Sequence, residues 1–299
     1  PGVSLTTLPS CSAPTASVVS NLTATTADLS WTASISAPAN GYLWEVRTAN
    51  AAGSGAVGLA SGGSAAAGVT YAQATGLTAN KKAIFYVRSN CGGGDSSAWT
   101  VADAFTTPCN ASDVPYFEDF SAVTVPALPA CMSRQTISGN LWTTANAPIA
   151  GMTAPAARIS YTGGGSPVMD SWLYTAGLNL IGGISYQLTY KYGNNSTSYT
   201  ESMSVSYGTG AAEANMTNLL VDHATINDNT LHIDTLNFTP ATSGVYYIGF
   251  KCYSISNQYY LFVDDINVIL TPSCYSPVAS YWIAPDCSNS QYYVNVDLT

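Results

Sequence analysis

Charged side chains are scarce in this sequence: only 8% of its 299 residues are Asp, Glu, Lys or Arg, where an average globular domain has ~25%. Basic residues are the scarcest, eight Lys and Arg against seventeen Asp and Glu, for a net charge of −9. The eight are scattered, so no basic patch is there to meet a phosphate backbone or an anionic membrane surface, and nucleic acid is not an expected partner. No run of ~18 apolar residues is present to span a bilayer as a helix. Pro1 follows no Met, basic segment or hydrophobic segment, so the chain is expected to be a mature product or a piece of something longer. Histidine occurs twice, at His223 and His232, and neither follows a Gly-x-Ser-x-Gly nucleophile motif. Both are expected in loops or on the surface. There is no C-x-x-C pair, and no cysteine stands at metal-ligand spacing from either histidine, so zinc and redox motifs are unsupported. The Gly-rich stretches GGSAAAG (62–68) and CGGGD (91–95) lack the Lys-Ser or Lys-Thr ending of a phosphate loop and read as turns.

Thr, Ser, Gly, Asn and Tyr are plentiful instead, the composition of a β-rich, extracellular-looking surface. The seven cysteines, at 11, 91, 109, 131, 252, 274 and 287, read as structural disulfides, the odd count fitting a chain that stops before a last partner. One phrase recurs three times: LTTLPSC (5–11), FTTPC (105–109) and ILTPSC (269–274). Each copy ends an extended Thr-rich segment with a Pro, which removes a backbone donor and fixes φ, and so terminates sheet pairing. Each is therefore a strand end, a stiff linker and a staple cysteine. The chain is expected to be modular: 1–8 the end of a preceding module, 9–108 and 109–271 two full modules, and 272–299 the start of another.

Period-two alternation fills both full modules. In the first, Leu29 and Trp31, then Tyr42, Trp44 and Val46, then Ala83, Phe85 and Val87 fall on single strand faces. In the second, the faces are Ile184, Tyr186, Leu188, Tyr190 and Tyr192; Met203, Val205 and Tyr207; Ile248, Phe250 and Cys252; and Phe262, Ile266 and Val268. No comparable helical period appears, so the fold class is all-β, with tandem β-sandwiches. Alternation at Tyr292, Val294 and Val296 then stops, and twenty-odd residues do not close a sandwich of ~100. The natural chain is expected to continue, or these residues to pair with something else.

The run Leu29-x-Trp31, GYLWEVRTA, GLTAN, YVRSNCGGGDSSAWT and FTTPC resembles the fibronectin type III modules of type IX-secreted bacterial surface proteins. It departs from them at one corner, where the family usually has Pro and Tyr and this chain has Ala79 and Ala83. The resemblance implies a Cys11–Cys91 disulfide. Further on, YFEDF, LPACMSRQTISGNLWT, SPVMDSWLYTAGLNL, GISYQLTYKY and YYIGFKCYSISNQYYLFVDDINV follow one another as in cleaved-adhesin or choice-of-anchor jelly rolls, relatives of the gingipain adhesin domains and, more distantly, of MAM domains. Met132 stands where that family usually has Trp. This second resemblance implies a jelly roll after the fibronectin type III sandwich, and a Cys109–Cys131 disulfide. Cys252 shares a face with Ile248 and Phe250 and reads as an inert buried thiol.

The sharpest local chemistry is FVDDINV. A regular strand puts Asp264 on the face of Phe262, Ile266 and Val268, and a carboxylate aimed at an apolar layer must be paired or bind a cation. Glu118 and Asp119 of FEDF stand at the other end of the module, and in a jelly roll the first and last strands lie side by side. Glu118, Asp119, Asp264 and Asp265 are therefore candidate Ca²⁺ ligands, and the resembling families carry structural calcium in this region. The competing reading has Asp264 accepting loop N–H bonds and Asp265 facing water. The acidic residues that would suit a glycosidase pair already belong to this set, so no catalytic centre is expected.

Twenty tyrosines and six tryptophans mostly alternate onto core faces. Tyr253, Tyr259 and Tyr260, in the polar loop before the last strand, remain as candidates for stacking on a glycan. Thr235 in DTL resembles an O-glycosylation acceptor of such secreted proteins. N-x-Ser/Thr sequons occur at Asn21, Asn110, Asn194, Asn195, Asn215 and Asn237, but ordinary N-glycosylation is not expected in a bacterial protein. The expected function is adhesion or spacing by a segment of a large protein on the surface of a Gram-negative bacterium. Its partners would be neighbouring modules of the same chain, and glycans or host or surface proteins. The rival is a carbohydrate-binding accessory segment of a secreted hydrolase.

Overall fold

The computed structural model describes residues 11–146, 148–272, 279–286, 288–289 and 291–298. The joint expected near residue 8, the first copy of the repeated phrase up to Ser10, and Cys274 and Cys287 lie outside the described residues.

Eight strands make the first β-sandwich: β1 (Thr15–Ser20), β2 (Ala27–Thr32), β3 (Tyr42–Arg47), β4 (Leu59–Ala65), β5 (Tyr71–Ala74), β6 (Lys82–Gly92), β7 (Asp95–Ser96) and β8 (Thr100–Thr106). One sheet has the order β1-β2-β5; the other runs β4-β3-β6-β7, with β8 also on β6. The expected faces meet between them: Leu29, Trp31, Tyr42, Trp44, Val46, Phe85 and Val87 are all buried in one cluster, with Trp31 edge-on to Tyr42 at 5.4 Å. Two local expectations change. GGSAAAG is not all turn, because Gly62 and Gly63 lie within β4. Gly63 pairs with Trp44, and a Cβ there would come 3.0 Å from the indole, so the glycine admits the ring. At the corner that lacks the family tyrosine, the buried Thr107 is the anchor. Its hydroxyl donates to the Thr78 carbonyl at 2.6 Å and accepts the Lys81 N–H at 2.9 Å.

The second β-sandwich contains β9 (Tyr116–Glu118), β10 (Ser133–Ser138), β11 (Thr143–Ala145), β12 (Ala156–Ser160), β13 (Asp170–Tyr174), β14 (Leu178–Leu180), β15 (Tyr186–Asn194), β16 (Glu201–Gly208), β17 (Asn218–Ile226), β18 (His232–Phe238), β19 (Gly244–Cys252) and β20 (Tyr260–Leu270). Its sheets run β10-β13-β19-β16-β17, with β14 on β19, and β11-β12-β20-β15-β18, with β9 on β20. The named pairs are antiparallel, and the core lies between the two sheets. Ile184 is the exception on its expected face: it is exposed, in the turn before β15. A 3₁₀ turn at Glu213–Asn215 is the only helical element among the described residues, and no helix there is long and apolar enough to cross a membrane. Beyond the second sandwich, β21 (Ala279–Asp286) and β22 (Gln291–Leu298) pair as an antiparallel hairpin, with Trp282, Val294 and Val296 exposed.

A bulge in β20 corrects the face assigned to Asp264. Its register with β15 shifts between Lys191↔Asp264 and Thr189↔Asn267, and Asp265 takes a left-handed φ of 47°. The extra residue switches the alternation. Leu261 and Val263 before the bulge, and Ile266 and Val268 after it, face the core. Phe262 and Asp264 point to the other side of the sheet, where the 148–155 loop covers them. Gly193, paired with Phe262, makes room for that loop: a Cβ there would meet Ile149 Cδ1 at 2.5 Å.

Candidate functional site

Asp264 is fully buried beneath this loop. Its Oδ2 accepts the Thr153 N–H at 3.1 Å, and its Oδ1 the Asp265 N–H at 2.9 Å. Burial still dominates and pushes its pKa up to about 7. Asp265 does not simply face water; its carboxylate pairs with Lys191 at 2.5 Å. The expected neighbourhood of first and last strands is found, since β9 pairs with β20 through Ile266↔Glu118. Glu118 is half-buried, accepts the Phe120 N–H at 2.8 Å and has its pKa raised, mainly by burial. Asp119 turns back on Ser121, whose hydroxyl and N–H hold its pKa down.

The four carboxylates do not gather into one shell. Among the described residues, the group of three potential metal-ligating side chains within mutual reach is Cys11, Cys91 and Asp95, and its two sulfurs form a disulfide. Glu118 and Asp264 both lack an ion-pair partner among the described residues, but they do not share a site: Glu118 pairs with the core-facing Ile266, whereas Asp264 points to the other side of the sheet. A hard cation at Asp264 would have to complete its shell from backbone carbonyls and water.

The candidate tyrosines separate. Tyr253 donates its hydroxyl to Asp222 and is not in ring contact with the others. Tyr259 and Tyr260 sit 4.4 Å apart, centroid to centroid, and two further tyrosines join them. Tyr161, just after β12, stacks on Tyr259 at 5.8 Å with 23° between planes. Tyr199, in the β15–β16 connection, stacks on Tyr259 at 5.8 Å and 25°. Tyr161 and Tyr199 keep 40% and 39% of their surface exposed, so the row, three near-parallel rings with Tyr260 tilted against them, is open to solvent. Sequence reasoning missed both because they reach the row from other loops.

Buried polar side chains fix the loops that carry the row. Glu201 accepts the Tyr259 N–H at 2.7 Å and the Ser254 hydroxyl at 2.5 Å, while burial raises its pKa. Asn194 donates to the Ser196 and Tyr199 carbonyls. Gln258 accepts the Thr200 N–H at 2.6 Å, and the Tyr161 N–H reaches the Tyr259 carbonyl at 2.7 Å. Larger concavities lie elsewhere, among them one of about 450 Å³ beside Asp28, Leu29, Tyr71 and Gln73 on the first sandwich. The tyrosine row is a platform rather than a pocket.

Both histidines are strand residues rather than loop residues; His223 is largely buried, while the His232 side chain stays at the surface. His223 on β17 places Nε2 2.9 Å from Asp234 Oδ2 and from the Tyr190 hydroxyl, and Nδ1 3.2 Å from the Tyr192 hydroxyl. Tyr192 lies between His223 and His232, with ring centroids 4.2 and 5.1 Å away. Because β17 and β18 are the outermost strands of their sheets, this network ties the two sheets together along one side of the sandwich. Burial lowers the His223 pKa and raises that of Tyr190, so both are neutral at neutral pH and no activated nucleophile results. The network is missed in sequence because its members stand on three strands.

Both implied disulfides are formed, Cys11–Cys91 and Cys109–Cys131, with Cα separations of 5.9 and 5.7 Å. Cys252 is a free, buried thiol, its pKa pushed up to about 12 by burial. Thr235 is exposed on β18, whereas the sequon residue Asn194 is fully buried.

No protein family matches the sequence, and a search of curated proteins finds no match. Among solved structures, the chain is similar to the K1 cleaved adhesin domain of Lys-gingipain from Porphyromonas gingivalis W83, at 22% identity over 53% of this chain and 99% of that one, with a TM-score of 0.44. The K2 cleaved adhesin domain of Lys-gingipain is similar at 16% identity, over 52% of this chain and 100% of that one, with a TM-score of 0.44. The carbohydrate-binding module TmCBM61, solved in complex with β-1,4-galactotriose, is similar at 10% identity over 47% of this chain and 89% of that one, with a TM-score of 0.36. Function does not follow from likeness at that level; it is read below from this chain's own residues.

Proposed function

We propose that this chain is a non-catalytic adhesion or binding segment of a larger secreted protein, and that it holds saccharide on the tyrosine row of its second sandwich. The observation that carries the reading is the solvent-open row of Tyr161, Tyr199, Tyr259 and Tyr260, fixed from below by Glu201, Asn194 and Gln258. Ordered rings with an apolar face and a polar hydroxyl suit the two faces of a sugar ring, and loops tied down in advance lose little entropy on binding. In this reading 9–108 is a fibronectin type III-like spacer, and 109–271 is the cleaved-adhesin-like jelly roll that carries the row. Residues 272–299 open a further module. The protein is extracellular, exported through type IX secretion to a Gram-negative surface, and the two disulfides suit that oxidising setting. Calcium bound at Asp264, beneath the 148–155 loop, would supply the positive charge that this carboxylate lacks.

The accessory segment of a secreted hydrolase fits the same tyrosine row. A catalytic domain elsewhere in the full open reading frame selects that alternative; further tandem modules select the adhesin. A glycan array tests the shared claim. Binding by the whole chain is expected, with loss on Tyr259→Ala combined with Tyr260→Ala. Undiminished binding by that variant removes the row from the function.

A further inference from the structure

Arg158 stands on β12 between the core residues Ala157 and Ile159, so its side chain emerges on the outer side of the sheet. There its guanidinium lies over the ring of Tyr260, 4.7 Å from the centroid, and Tyr260 in turn contacts Tyr161 and Tyr259. Arg158 takes part in none of the ion pairs found among the described residues, where Arg47, Lys191 and Lys251 all have carboxylate partners. Its Nε is buried without a hydrogen-bond partner. Arg88 is likewise without a carboxylate among the described residues, its buried Nε unbonded and its guanidinium over Trp99; what sets Arg158 apart is that the ring beneath it belongs to the tyrosine row. Stacking on the ring uses the face of the guanidinium, while its N–H donors point outward in the plane, in the fork that fits a carboxylate.

We infer that the saccharide held by the tyrosine row is acidic: a carboxylated sugar of the uronic type whose ring lies on the tyrosines and whose carboxylate is taken by Arg158. This rests on the saccharide-binding reading above and narrows it to a substrate class. The whole-molecule field does not supply such a preference, because a net charge of −9 repels anions at long range. Selection for the acid has to be local.

The test is calorimetric titration of the whole chain with a galacturonic acid oligomer and with the same oligomer methyl-esterified, which exchanges each carboxylate charge for a small neutral methyl ester. The acid is expected to bind roughly tenfold to a hundredfold more tightly than the ester, the effect of one charge-assisted pair. Arg158→Gln should bring the acid down to the level of the ester, and Arg158→Lys should keep part of the preference. Arg88→Gln, which removes the arginine stacked on Trp99 in the first sandwich, should alter neither. Equal affinity of acid and ester for the unmodified chain overturns the inference while leaving saccharide binding in place, and it does so whether or not the arginine variants fold. An Arg158→Gln variant that melts normally and still prefers the acid does the same. Binding of neither oligomer, nor of any other sugar on an array, removes both the inference and the reading beneath it.

Discussion

Replacing Asp264 by Asn should stabilise the protein at alkaline pH, its effect growing more favourable from pH 4 to pH 8. The carboxyl is wholly buried, and its pKa is moved from 3.8 to about 7. Below 3.8 both the folded and the unfolded chain hold the proton. Between 3.8 and 7 only the folded chain does, so stability falls as pH rises, by up to about 1.4 kcal/mol per pH unit. Above 7 both have released it and the loss is complete, at most about 4 kcal/mol. Asn has the shape of the protonated acid and cannot ionise, but its amide nitrogen replaces one of the two oxygens that accept the Thr153 and Asp265 N–H groups. The variant should therefore start about 1–3 kcal/mol weaker near pH 4 and gain on its parent as the pH rises. Urea denaturation in chelator at half-unit steps reads this directly. Glu118 and Glu201, also raised by burial, tilt both curves alike, so the difference between them isolates Asp264. A difference that stays constant with pH, or a variant weaker than its parent at pH 8, refutes the reasoning. Calcium bound at Asp264 adds a second signature: it should restore the parent protein at pH 8 and leave Asp264→Asn unmoved.

Two further outcomes are expected. His223 is buried among Tyr190, Tyr192, Asp234 and Asp222, with His232 beyond Tyr192, and burial holds its pKa below 6.5. The unfolded chain therefore takes up the proton first as pH falls through 6.5, and folding loses stability there. His223→Gln should flatten that loss in melts compared between pH 7.5 and 5, and an unchanged slope would show that the histidine is not buried as found. Thr107→Val keeps shape but removes the hydroxyl shared by Thr78 and Lys81, and should cost about 1–3 kcal/mol in urea denaturation. A cost near zero would mean that the corner is held by something else.

Strand faces were legible because a side chain every second residue is a purely local signal, and Leu29, Trp44, Phe85, Tyr190 and Ile248 all obeyed it. The side-by-side placing of β9 and β20 also followed from sequence, through the resemblance of the flanking motifs. The bulge did not, because one left-handed residue, Asp265, shifts the period without changing the pattern of apolar letters before or after it. Asp264 was thus foreseen as buried, but on the wrong side of the sheet. The strand glycine Gly63 was hidden for the opposite reason: the sequence shows a missing side chain and not the Trp44 indole that fills its place.

The tyrosine row shows most clearly where sequence reading stops. Tyr259 and Tyr260 drew notice as aromatics left over after the core was assigned. Tyr161 and Tyr199 have the same chemistry but lie in loops that no local pattern connects to them. What brings the rings together is a set of residues beneath them: Glu201, Asn194 and Gln258, whose hydrogen bonds go to loop backbone and, for Glu201, to the Ser254 hydroxyl as well. A buried carboxylate such as Glu201 is costly to keep in a fold unless its oxygens are occupied, and here the Tyr259 N–H and the Ser254 hydroxyl occupy them. The surface beneath them separates the two stacked arginines. Both are without a carboxylate partner among the described residues, Glu45 on the Arg88 sheet being taken by Arg47, but Arg88 lies over the single ring of Trp99, whereas Arg158 shares its ring with a cluster of tyrosines open to solvent. Arg158 therefore joins its charge to a platform of several rings on which a sugar can lie.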